Sequence, residues 1–369
     1  MIFYTVGVRA LGFKMKASGR DSKLRKKLEE AVKNRKKPRG RRFYAAEILH
    51  LQELLLESSP QNAARELHQN GARTPLFRLQ ALSRLYEKTG GGKIFYRLRF
   101  WFKKIEDALG VVAYFEDLKL YCADREPLQP LVDSFQKKYD IALQELQGLL
   151  IDEGWLKFKS DRPSSPRCRR VWKILKKVKW DKNEKERKKI AEFLSARLEK
   201  IDFRLKNGLY DFENLEGGLH ELRRNIRWFS IYAHSLQGLI QLRGDVRPFP
   251  ELEMYCPASI RQSPFNTWGP YTGRGKPIQI SRGLFFALSF AIAELGRLKD
   301  IGQFREALEK EVRTLEFPDD SMRRQALDYL HEEFAEAPEL PEKSRAFCED
   351  IFLKKGVLRL LAQDIRNDA

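Results

Sequence analysis

Residues 219–234 read Leu-His-Glu-Leu-Arg-Arg-Asn-Ile-Arg-Trp-Phe-Ser-Ile-Tyr-Ala-His, and a helix is the one element that makes sense of both patterns in them. At 3.6 residues per turn, His220, Arg223, Arg224 and Arg227 fall on one side, and His234 returns to nearly the same stripe. Leu219, Leu222, Ile226 and Phe229 fall on the other side and form an apolar face for a core. One face packs while the other gathers guanidinium groups and imidazoles in one place. Guanidinium forks match phosphate oxygens in pairs, so a row of them matches a row of phosphates. The plain alternative is a basic face that meets only water.

The same three-to-four spacing recurs along the chain and predicts an all-α fold. Helices are expected over about 42–57, over 61–88 with breaks at Gly71 and Pro75, and over 94–122, 128–152, 168–180, 184–207 and 284–298, with a helical tail from about 303. Pro163 to Pro166 suggests a boundary between two halves. The resulting division is a basic, partly disordered arm (1–41), a first helical bundle (42–156), a basic linker with an amphipathic helix (157–182), a second bundle (183–305) and a C-terminal helical extension (306–369). Residues 244–283, rich in Pro, Gly and aromatic residues, are expected to be a long irregular insertion in the second bundle.

Charge narrows the partner. Seventy Lys and Arg face 51 Asp and Glu, a formal charge of +19, which favours a polyanion. The arm contributes fifteen basic residues against three acidic ones between 9 and 42, and the linker eleven against two between 157 and 182. Cys122, Cys168, Cys256 and Cys348 lie far apart, which fits a reducing compartment better than a disulfide framework. Five scattered histidines offer no metal-ligand spacing, so no metal and no cofactor is expected. The longest apolar run, Leu284 to Ala293, is too short to span a bilayer, so a soluble, cytoplasmic protein is expected.

The two halves echo one another. Leu67-His68 precedes Leu109-Gly110 by 42 residues from histidine to glycine; Leu219-His220 precedes Leu295-Gly296 by 76, and the excess is close to the length of the 244–283 insertion. On these residues the chain resembles the CHAD family, the conserved histidine α-helical domains. The family's His-x-x-Arg motif is matched by His220 and Arg223, with Arg224 and Arg227 following, and its Leu-Gly-x-x-x-Asp segment by Leu295, Gly296 and Asp300. In the first half His68 matches the histidine, but Gly71 stands in the arginine's place and Tyr114 in the aspartate's, with Arg73 and Arg78 nearby. Pro75 is expected to distort the helix there. The resemblance implies two pseudo-repeated helical bundles with a basic cleft between them, binding of inorganic polyphosphate without catalysis, and association with polyphosphate granules.

The expected polyphosphate-binding residues are therefore His220, Arg223, Arg224, Arg227 and His234, with His68, Arg73, Arg78, Lys103 and Lys104 from the first half and Lys176 and Lys177 from the linker. Three alternatives stand beside this. A nucleic-acid binder would use the arm and the rings of Trp172 and Trp180. A degenerate CHAD-like scaffold would bind a protein partner. An enzyme cleaving phosphate chains would need alternating strand glutamates ending in lysine, but Tyr255 stands where that lysine belongs, after Glu251 and Glu253.

Overall fold

A computed structural model describes residues 19–159, 162–244 and 250–368. Among the described residues the fold is all-α, with four short strands. The chain divides into two compact units. Unit 1 takes the described residues up to Asp124 together with Val132–Asn183, and unit 2 takes Arg125–Leu131 and everything from Glu184.

In unit 1, α1 (Gly19–Lys33) packs on α2 (Arg39–Glu57), followed by α3 (Ala63–Gln69) and α4 (Arg73–Tyr86). A π-helical turn at Glu87–Gly91 leads into α5 (Gly92–Ala123), which packs along α4. Thirty-two residues at 1.5 Å each make α5 about 48 Å long. Its Phe95, Leu98, Phe102, Ile105, Leu109 and Val112 recur every three or four positions, and all are buried. The unit is completed by α6 (Gln129–Asp152) from Val132 onward, by the antiparallel pair β1 (Lys157–Lys159) and β2 (Arg162–Ser164), and by α7 (Pro166–Leu175). Trp180 closes an aromatic cluster with Tyr44, Tyr86 and Phe95, at ring distances of 5.1 to 6.2 Å.

Several boundaries differ from expectation. The arm is helical from Gly19, and its residues 1–18 lie outside the described part. Residues 157–182 are a portion of unit 1 rather than a linker, because Trp172 and Leu175 of α7 are buried in its core. Pro75 does not distort α4: it sits in the first turn, where the missing N–H has no carbonyl to serve. Gly71 ends α3 at φ +71°. There Ala72 N–H donates to Leu67 O at 3.0 Å and Gly71 N–H to His68 O at 3.1 Å, a C-cap that needs left-handed backbone.

Unit 2 is built on α8 (Asn183–Lys206), α9 (Glu221–Ser235), the four-residue α10 (Ala258–Arg261) and α11 (Arg282–Thr314). It continues with α12 (Asp320–Glu333), α13 (Leu340–Cys348) and α14 (Val357–Asp368). The central helix is α11, against which α9, α12, α13 and α14 all pack. It runs through the expected boundary at 305, so the described residues 306–368 of the expected extension are not an appendage but part of this bundle. The 244–283 insertion is less irregular than expected. It holds short helical turns and ends in β4 (Ile278–Ser281), which pairs in parallel with β3 (Ile240–Arg243).

The free edge of β4 is closed by a helix. Asp364 and Asp368, one turn apart on α14, accept the backbone N–H groups of Ser281 and Gln279. Four helical residues rise about 6 Å and two strand residues about 6.6 Å, so the two carboxylates match the two N–H groups facing that edge. Asp364 also pairs with Arg243, and Asp368 with Arg187 at 2.6 Å.

Candidate functional site

The site forms where α9 begins. Asn214 caps a π-helical turn, Leu215–His220, by accepting Gly217 N–H at 2.8 Å, and that turn runs straight into α9. Gly218 is required there: a Cβ on it would lie 1.8 Å from Asp211 O and 2.9 Å from Phe212 N. Leu219, Leu222, Ile226 and Phe229 are buried as the apolar stripe predicts, which turns His220, Arg223 and Arg224 outward together.

Arg223 is the most confined of these groups. Its guanidinium lies flat on Gly296 of α11, so close that a Cβ on Gly296 would meet Nε at 2.8 Å and Nη2 at 2.9 Å. Its Nε donates to Ile292 O, four residues before that glycine, at 3.3 Å. Burial lowers its pKa, and the nearby charge of Asp300 opposes the shift. No carboxylate of the described residues forms an ion pair with it. Arg224 is exposed and equally without an ion pair among the described residues. Glu221, its neighbour, is taken by Arg204 at 2.7 Å. Arg227 follows one turn on and is half-buried.

His220 completes the group. Its Nδ1 is buried without a hydrogen bond, and the nearest carboxylate oxygen, Glu216 Oε1, is 3.9 Å away. Burial holds its pKa below the usual histidine value; Glu216 raises it, while Lys299, Arg224 and Arg223 lower it further. The ring is thus largely neutral at pH 7 and faces cations. Lys299 belongs to this group although the helical stripe gave no sign of it, since it reaches the site from α11. It pairs with its neighbour Asp300 at 2.7 Å.

His234 is not part of the cluster. Its Nε2–H donates to Phe265 O at 2.8 Å and its ring stands edge-on to Trp268, so it anchors the 244–283 segment. In unit 1 a similar local arrangement is neutralised. Arg73 lies on Gly110, where a Cβ would meet Nη2 at 2.9 Å, and its Nε donates to Glu106, again four residues before the glycine, at 2.8 Å. The partner there is a buried carboxylate instead of a backbone carbonyl. His68 donates to Glu116 at 2.7 Å from α3, a different helix from that of Arg73, because the chain turns at Gly71. Arg78 faces Glu47 at 3.6 Å, Lys103 pairs with Asp107, and Lys104 pairs with Glu153 at 2.5 Å. Lys176 and Lys177 are exposed just past the end of α7. Trp172 is buried inside unit 1, and Trp180 is half-buried against Tyr86 and Phe95.

Among the described residues no group of three or more His, Cys, Asp or Glu could hold a metal ion, and the four cysteines are buried and form no disulfide. No helix of the described residues is long and apolar enough to cross a membrane. Comparisons with family models, curated proteins and solved structures return no match, so the CHAD resemblance rests on the quoted residues alone.

Proposed function

We propose that the α9 face of unit 2 binds inorganic polyphosphate without cleaving it, as the CHAD resemblance implies. The observation that carries this reading is Arg223. It is a largely buried guanidinium, pinned by Gly296 and Ile292 O, that forms no ion pair among the described residues and feels only the nearby charge of Asp300. A desolvated, unpaired cation is costly, and a phosphate oxygen is the partner its fork fits. Arg224, Arg227 and Lys299 extend the positive surface along the helix, with the neutral His220 ring beside them, which suits a chain of phosphates better than one. In unit 1 the corresponding Arg73 already holds Glu106, so the proposal needs unit 2 alone and not a cleft between bundles. A cytoplasmic protein recruited to polyphosphate granules follows from the same reading.

The test is a salt titration of binding to long-chain polyphosphate, with wild type beside Arg223→Ala/Arg227→Ala. About four neutralised phosphates give a log–log slope near −3 by analogy with DNA. The double variant should lose affinity and keep its helicity, and duplex DNA should compete poorly. Equal binding by the variant would reject the site.

A further inference from the structure

A second basic surface lies on unit 1, on the outward face of α5, and it differs from the first in carrying exposed rings. Tyr96 is 57% exposed and Phe100 59%, one helical turn apart on the same face. Behind them stands the half-buried Trp101, with three guanidinium groups over it: Arg167 at 4.4 Å, Arg170 at 5.2 Å and Arg97 at 5.5 Å from the ring centre. Only Arg167 has a carboxylate partner, Glu153 at 2.9 Å. Arg97 and Arg170 are exposed and have no ion pair among the described residues. Trp101 therefore does not itself offer a stacking face. It holds like charges side by side through its π-system, which fixes their position and leaves their mutual repulsion for an anion to relieve.

We infer that this face of α5 and α7 binds single-stranded nucleic acid, the bases stacking on Tyr96 and Phe100 and the phosphates meeting Arg97 and Arg170. Tyr96 is suited to it because the Arg99 guanidinium backs its ring at 5.2 Å and is itself held by Glu87 at 3.0 Å. One ring face is supported and the ring is presented. Stacking plus a cationic track is the general solution for strands whose bases are free, and it works for any base because each has a π-face. A duplex hides those faces. An anionic membrane fits less well: an interfacial helix buries a continuous apolar face, whereas the apolar face of α5 is spent on the core of unit 1. The residues here are distinct from the α9 cluster, so the two proposals stand or fall separately.

The charge-neutral variant Tyr96→Ala/Phe100→Ala makes the test. Binding of labelled oligo(dT) of about sixteen nucleotides is measured by fluorescence anisotropy at fixed salt, with long-chain polyphosphate as the parallel ligand. Losing stacking on two bases should weaken oligo(dT) binding by about 30-fold or more. Binding of polyphosphate, which has no bases, should be unchanged. Oligo(dT) binding that survives the double substitution would overturn the inference, because charge alone would then explain it. So would wild-type protein that sediments with phosphatidylserine vesicles and is not displaced by oligo(dT). Phe100→Ser alone, at a position that packs on little, repeats the measurement if the double variant loses helicity.

Discussion

Replacing Gly296 with alanine should separate binding from stability. The new Cβ would lie 2.8 Å from Arg223 Nε, 2.9 Å from Nη2 and 3.2 Å from Cζ. Ordinary carbon contacts need about 3.5–4.0 Å, so the guanidinium must retreat by roughly 0.7–1.2 Å. Its hydrogen bond to Ile292 O is already 3.3 Å long and cannot survive that displacement. The side chain is flexible and can swing toward water, so the fold loses little, and alanine gains about 1 kcal/mol over glycine inside a helix. The melting temperature followed by circular dichroism should therefore move by only a few degrees. Polyphosphate meets a misplaced fork and loses one charge-assisted contact worth about 1.5–3 kcal/mol, a weakening of roughly 10- to 100-fold. Gly110→Ala is the control: it crowds Arg73 at 2.9 Å in the same way, but Arg73 is already neutralised by Glu106 and polyphosphate affinity should not change. If Gly296→Ala bound polyphosphate like wild type, the seat of Arg223 on that glycine would have no part in recognition.

Three further outcomes are expected. Burial first, then Lys299, Arg224 and Arg223, keep the free His220 pKa low against the opposing charge of Glu216; a bound polyanion should raise it. Affinity should then climb as pH falls between the bound and free values, by at most about tenfold per unit, and level off below the free value. His220→Gln should give a flat profile in the same titration. Burial pushes the Glu47 carboxyl up to about 7 from 4.5, against the pull of Arg78. Below pH 4.5 it is protonated whether the chain is folded or not; as pH rises toward 7 only the unfolded chain releases the proton, so stability falls. Glu47→Gln should raise urea-unfolding stability near neutral pH by about 1–3 kcal/mol and leave it unchanged in acid. Gly218→Ala places a Cβ 1.8 Å from the backbone oxygen of Asp211, where no side chain can yield. It should cost about 3 kcal/mol, seen as a drop of roughly 6–12 °C in the melting of unit 2, and a smaller drop would mean the π-helical turn relaxes.

The helices were legible because each carries its own apolar stripe: the pattern over 94–122 returns as α5, and that over 219–234 as the π-helical turn with α9. The group on α9 was legible for the same reason, since one helix supplies His220, Arg223 and Arg224. What a stripe cannot show is what stands opposite. Arg73, Arg78 and Lys104 looked like Arg223 in sequence, yet the carboxyl groups of Glu106, Glu47 and Glu153 face them across helix contacts. Lys299 was hidden on another helix, next to the Asp300 that matches the CHAD segment. Tyr96 and Phe100 read as part of a long helix, and only burial separates them from Phe95 and Phe102 on its inner face. The partition at 157–182 failed because proline and charge mark a loop, not what the next helix packs on.

The carboxylate closure of β4 has a consequence for synthesis. Gln279 and its acceptor Asp368 are 89 residues apart, so a ribosome adding about 5–20 residues per second finishes the strand some 4 to 18 seconds before its edge can be covered. Through that interval the two-stranded ladder offers bare N–H groups to any extended chain nearby. A stall between residues 281 and 364 would leave that edge open.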